Sequence, residues 1–201
     1  MQELLTIFIT LFTVIDPIGT VPVFIAVTSS SDNSQRKKIA LKAALVAAGV
    51  LTFFIIAGEL ILDAIEVPLM SFQIAGGIVL FLFALTMIFG ESKADEEIEK
   101  IGKQDDKAIF PLAMPSLASP GAILAVILLT ENNTHGILDQ TVTWSVMLFV
   151  IFIAWILMLF ASRISQLIGN GGAAIVSRVM GLILTAVAVN YVLEGLTTYL
   201  S

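Results

Sequence analysis

Six apolar runs, each long enough to cross a bilayer, divide this chain at roughly 4–28, 38–62, 69–90, 109–130, 142–161 and 175–199. A hydrocarbon core about 30 Å thick is crossed by ~20 helical residues. Backbone that cannot reach water there has to close its hydrogen bonds within its own segment. The pattern predicts an all-α, polytopic membrane protein with six transmembrane helices. Composition agrees. Of 201 residues, 58% are hydrophobic and only 13% charged, too few to coat a soluble surface. There is no basic patch of the kind that binds nucleic acid. The absence of cysteine excludes disulfides, thiolate metal sites and cysteine nucleophiles. The first run carries Glu3 and no Lys or Arg ahead of it, so it does not read as a signal peptide.

Charge sets the orientation. All ten Lys and Arg flank the connections between runs 1 and 2, 3 and 4, and 5 and 6. Short loops rich in Lys and Arg stay in the cytoplasm. Segments 29–38, 91–108 and 162–178 are therefore expected as cytoplasmic loops, with both termini outside. Trp144 and Tyr199 fall near the outer boundary, where interfacial aromatics belong, and Trp155 is expected inside the bundle.

The chain reads as one transmembrane domain of two halves, repeat A over 1–90 and repeat B over 109–201, joined by the polar loop 91–108. Five of the six prolines fall in runs 1 and 4: Pro17 and Pro22, then Pro111, Pro115 and Pro120. Asp16-Pro17-Ile18-Gly19 aligns with Ser119-Pro120-Gly121 at an offset of 103, and Gly76 and Gly90 align with Gly181 and Gly195 at 105. Each half has three crossings, an odd number, so the second half enters from the opposite face. Inverted repeats with interrupted helices at matching places are the pattern of secondary transporters.

The breaks carry the chemistry. Asp16 falls near mid-membrane, where a carboxylate costs roughly 2.5–3.5 kcal/mol even on lenient scales. Proline removes the N–H that would pair with a carbonyl one turn back. If runs 1 and 4 unwind at Asp16–Gly19 and Ser119–Gly121, each restarting helix presents unpaired N–H groups and a partial positive charge near the midplane. Two such tips would hold a carboxylate, and Asp16 would hold an ammonium group or a proton. The local role expected of Asp16 is to cap the restarting helix. Gly19 and Gly121 permit close approach, and Thr20, Ser116 and Ser119 supply hydroxyls at the same depth. Asn190 is a further deep polar group in run 6. The expected substrate-binding set is Asp16, Pro17, Gly19, Thr20, Ser116, Ser119, Pro120, Gly121 and Asn190. Small-residue faces such as Ala40, Ala44 and Ala48 are read first as packing within the bundle and second as a homodimer contact.

Val-Ile-Asp-Pro-Ile-Gly at 14–19, Pro-Leu-Ala-Met-Pro at 111–115 and Ser-Pro-Gly-Ala-Ile at 119–123 together resemble the MarC family of bacterial and archaeal membrane proteins. The resemblance covers essentially the whole chain. It implies membership of the LysE-like transporter superfamily, a place in the prokaryotic inner membrane, and transport of small neutral amino acids such as alanine and glycine. Coupling to H+ or Na+ is expected, with no other cofactor. The alternative is an exporter or channel for another small solute, drug-like compounds included, although Gly, Ser, Thr, Pro and Ala crowd the breaks where such a pocket would want aromatics. An intramembrane enzyme is disfavoured, because one deep acid and one loop histidine do not make a nucleophile–base pair.

Overall fold

A computed structural model describes residues 2–29, 31–89, 108–132 and 135–200. Eight helical segments follow one another: α1 (Gln2–Ile15), α2 (Thr20–Val27), α3 (Asn33–Ala64), α4 (Leu69–Phe89), α5 (Ala108–Leu117), α6 (Pro120–Leu128), α7 (Ile137–Leu159) and α8 (Ala161–Leu200). There is no strand among the described residues. Five stretches are long and apolar enough to cross a membrane, Gln2–Val27 being one of them; the pair α5 and α6, bent by 53°, makes a sixth if it is one crossing. Among the described residues every regular element is a helix, as the apolar runs predict.

Two boundaries differ from expectation, and the causes are local. The connection predicted at 29–38 shrinks because α3 starts at Asn33. Asp32 accepts from Gln35 N–H at 2.7 Å while the Gln35 side chain accepts from Asp32 N–H at 3.3 Å. This capping box satisfies two donors that a helix start leaves orphaned, and it makes Arg36, Lys37 and Lys38 helical. The connection predicted as a loop at 162–178 is helical throughout, since α8 begins one residue after the Phe160 cap of α7. That segment has glycines but no proline, and glycine only weakens a helix, by about 1 kcal/mol. The predicted loop 91–108 lies outside the described residues except for Ala108.

The packing explains why small residues line the inside. Ala40, Ala43, Ala44 and Ala47 of α3 are buried, as are Ala118, Ala122, Ala125 and Ala154. Large side chains such as Phe53, Ile56, Leu60, Leu82, Phe89 and Phe149 are exposed. In lipid there is no gain from hiding leucine, so close backbone approach holds the helices together. The most extensive contact is α4 on α8. A Cβ on Gly77 would lie 2.8 Å from Val192 Cγ2 and 3.0 Å from the Ala188 carbonyl, and one on Gly181 would lie 3.0 Å from the Ala84 carbonyl.

The remaining contacts position the breaks. α1 packs on α6 and α2 on α5. The first half of one broken segment thus lies beside the second half of the other, so the two run antiparallel. α1 also packs on α7 while α5 packs on α3, α2 packs on α8 while α6 packs on α4, and α2 packs on α7 while α6 packs on α3.

The glycine contacts yield a test. Gly77→Ala and Gly181→Ala should each destabilise the protein by roughly 1–3 kcal/mol, the usual cost of overpacking. Gly49→Ala, where a Cβ meets nothing within 4 Å, should be neutral or stabilising by up to about 1 kcal/mol. Unfolding in mixed micelles would measure all three.

Candidate functional site at two helix breaks

The first break is built by four residues. Pro17 has no N–H to extend α1, which stops at Ile15. Asp16 turns into the left-handed region at φ 51°, a conformation that Asp adopts more readily than most residues. Its N–H still reaches the Phe12 carbonyl at 3.1 Å. Its carboxylate then reaches forward, with Oδ1 accepting from Gly19 N–H at 2.9 Å. The Thr20 N–H and hydroxyl both donate to the Asp16 carbonyl, at 3.2 and 3.0 Å. Asp16 therefore caps the turn at 17–19 that leads into α2, close to the local role expected of it; the residue at the N-cap of α2 itself is Gly19. A Cβ on Gly19 would run into the Asp16 carboxylate. Glycine is needed there to leave room for the cap.

The second break is longer than the first. Phe110 and Met114 have extended backbones, each just before a proline, inside α5. A residue that precedes proline is pushed out of the helical region by the ring. Ser119 then caps α6 with Pro120 in the first turn, its Oγ accepting from Ala122 N–H at 3.1 Å. This is the favoured order for a helix start. The interruption ends at Ser119, and Gly121 lies within the new helix, where a Cβ would strike Leu80.

The breaks touch. Ser119 Oγ donates to the Val14 carbonyl at 2.9 Å, so the second break satisfies the frayed end of α1. Thr20 Oγ1 and Ser116 Oγ lie 3.1 Å apart, a hydrogen bond between the two segments. Asp16, Thr20, Ser116 and Ser119 are 2%, 0%, 0% and 1% exposed. The N-termini of α2 and α6 both end at this cluster. Asp16 and Ser119 do the same work in the two segments, each accepting from the N–H three residues on.

Of the nine residues expected at a site, Asp16, Gly19, Thr20, Ser116, Ser119 and Gly121 are buried at or beside the two breaks; Pro17 is buried in the first turn and Pro120 is exposed. Asn190 lies apart. It is exposed on α8 and donates to Glu194 Oε1 at 2.6 Å. Neither of two cavities among the described residues reaches Asp16. One, of about 60 Å³, lies at the end of α2 between Phe24, Arg36 and Met158; the other, of about 580 Å³, is an apolar groove between α1 and α7 lined by Leu4, Phe8 and Phe149. The polar side chains of the cluster are themselves buried. No three His, Asp or Glu side chains gather as a metal site among the described residues.

Sequence reading missed the ends of the short helices. Thr28 closes α2 by donating to the Phe24 carbonyl, and Thr130 follows α6 and donates to the Val126 carbonyl, both at 2.6 Å. Their near-equivalent places in the two halves were the available signal.

Comparison with known proteins now decides the family. The model of the MarC family, described as MarC family integral membrane protein, matches residues 1–200. The chain belongs to this family. A UPF0056 membrane protein of Methanocaldococcus jannaschii is 36% identical, over 98% of this chain and 97% of the relative. One from Aquifex aeolicus is 34% identical over 96% and 92%, and one from Archaeoglobus fulgidus 35% over 94% and 90%. No solved structure matches the chain. This MarC family member is thus a multi-pass helical membrane protein.

Glycine 19 gives the test of the cap. Gly19→Ala should destabilise the fold in the wild-type background. Much of that cost should vanish in Asp16→Ala, where the obstructing carboxylate is gone. A double-mutant cycle read by unfolding should return a coupling of about 1–3 kcal/mol; additive costs would mean that the carboxylate does not occupy that space.

Proposed function

We propose that this chain is a secondary transporter of small neutral amino acids, of the size of alanine or glycine, working by alternating access at the two breaks. The observation that carries the reading is the contact between them: two helix N-termini and one carboxylate gathered in a buried polar cluster. Each terminus carries about half a positive charge and several N–H groups without helical partners. They suit the carboxylate of an amino acid. Asp16 suits its ammonium group or a coupling H+ or Na+. Gly19, Thr20, Ser116, Ser119 and Gly121, where the breaks meet, are small, so room made by a modest opening favours a small side chain.

The helix packing supports an inverted repeat. Exchanging the halves turns the contact of α1 with α7 into that of α5 with α3, and that of α2 with α8 into that of α6 with α4. Spans 1 and 4 are antiparallel, as a twofold axis in the membrane plane requires. In this reading segments α5 and α6 form one bent crossing, the termini lie outside and the basic connections face the cytoplasm of a prokaryotic cell. Some depth-appropriate interruption is tolerated only where protein or a cavity surrounds it. That is why we read the cluster as a carrier site, and not as an enzyme or a scaffold.

Hydrogen bonds tie the halves together at both ends of the bundle. On one side Arg36 donates to Thr28 Oγ1 and to Ser162 Oγ, both at 3.1 Å. On the other, Glu59 Oε2 accepts from the backbone and side-chain N–H groups of Asn132 at 2.9 and 2.6 Å, and Asn132 Oδ1 accepts from Gln140 at 2.9 Å. We read these as inner and outer latches, both fastened in this conformation. Opening one while the other holds is what alternating access needs.

Asp16→Asn separates charge from capping, because an amide oxygen still accepts from Gly19. Uptake of labelled alanine into proteoliposomes should fall by about tenfold or more, a loss of ~1.4 kcal/mol, with helical content unchanged. Wild-type uptake would remove the charge from the mechanism. For the inner latch, Arg36→Ala should raise severalfold the reactivity of a Phe24→Cys reporter toward a water-soluble thiol reagent supplied from the cytoplasmic face. Unchanged reactivity would leave Arg36 as a structural tie.

A further inference from the structure

Asn190 is exposed at a depth where exposure has to be accounted for. The crossing part of α8 runs from Arg178 to Leu200. At about 1.5 Å per residue, Asn190 stands near its middle. Its amide bonds Glu194, and Glu194 also accepts from Gln73 Nε2 of α4 at 3.3 Å. A carboxylate and two amides thus stand on the outer side of the α4–α8 pair. Bare hydrocarbon is a poor neighbour for such groups.

The surrounding face has a regular pattern. Val179, Ile183, Ala186, Asn190, Leu193, Thr197 and Leu200 are all exposed. Their spacing alternates between four residues and three, the 3.5-residue repeat of a left-handed helix pair. The opposite face, with Gly181, Leu184, Ala188 and Tyr191, is buried. This row is turned away from the bundle, within a wider exposed face that also holds Leu182, Val189 and Leu196, and its one amide is Asn190.

We infer that this seam is a homodimer interface, in which α8 of one protomer packs against α8 of a second copy about an axis normal to the membrane. Two copies inserted in the same sense bring their α8 helices together in parallel, the arrangement such a heptad serves. A carboxamide is self-complementary. Having given one N–H to Glu194, Asn190 retains a second N–H and its carbonyl oxygen, and a twofold axis pairs them with the same groups of the other copy. A buried amide at a core position of such a seam sets register and oligomeric state, and Thr197, the seam's other polar residue, already donates to the Glu194 carbonyl of its own helix. The inference is independent of the transport reading.

The natural lack of cysteine makes the test direct. Leu193→Cys places one thiol on the seam; Ile56→Cys places one on α3 at a site at least as exposed, 77% against 56%. Both proteins are oxidised in native membranes at low expression. Leu193→Cys should give a covalent dimer of two identical chains, and Ile56→Cys should stay monomeric. Adding Asn190→Val should reduce the Leu193→Cys dimer severalfold. Equal cross-linking at the two cysteines, none at Leu193→Cys, an adduct whose mass is not that of two chains, or full cross-linking with Asn190→Val would each overturn the proposal.

Discussion

A carbonyl freed in hydrocarbon has no water to turn to, and the hydrogen bond from Ser119 to Val14 answers that constraint. Each helix break in this protein exposes backbone that the bilayer cannot solvate, at several kcal/mol per group. The breaks are tolerable because they are placed against each other. The second supplies a hydroxyl to the first, and Thr20 and Ser116 join them again a turn away. Separate either segment from its partner and both become expensive. This mutual satisfaction explains why the interruptions occur as a pair, and why the helices around them pack through alanine and glycine. Small side chains let the surrounding rods close over irregular backbone without leaving voids.

Much of this was legible because lipid simplifies the code. Run length and the position of proline depend on hydrocarbon thickness and on a missing N–H, and both are visible in a bare sequence. Asp16 as a cap followed by Pro17 could be read from residue type alone. What escaped needed geometry. Nothing in the order of residues says that Ser119 reaches Val14, 105 positions away. Asn190 has the same depth signature as Asp16 but lies on the outward side of α8, because depth is encoded by position in a run and facing is encoded by the helix's neighbours. The extra kinks at Phe110 and Met114 were implied by Pro111 and Pro115, whereas the 53° bend between α5 and α6 is a geometry that residue order does not print.

The helix ends show a second limit. Residues 162–178 carry polar and basic groups and three glycines, which suggests a loop to any hydropathy reading. They are helical because composition sets whether a segment enters lipid, while secondary structure outside lipid follows propensity and capping. The same distinction governs α3, whose basic first turns are helical on the strength of the Asp32–Gln35 box. Such extensions matter mechanically. They carry Arg36 to the α7–α8 junction, where it can bond Ser162, and a loop would have held it less firmly.

The two capping residues differ in what they can do chemically. Asp16 and Ser119 each accept from the N–H three residues on, but only the serine hydroxyl can also donate, which the Val14 carbonyl requires. Two carboxylates at such close quarters would oppose each other's ionisation. Two hydroxyls would leave only the positive helix tips and nothing to receive a cation. One of each sets an acid and a hydroxyl side by side at two helix starts. In the transport reading, the paired breaks account for opening to either face, and the pairing of an acid with a hydroxyl accounts for selecting a small dipolar solute.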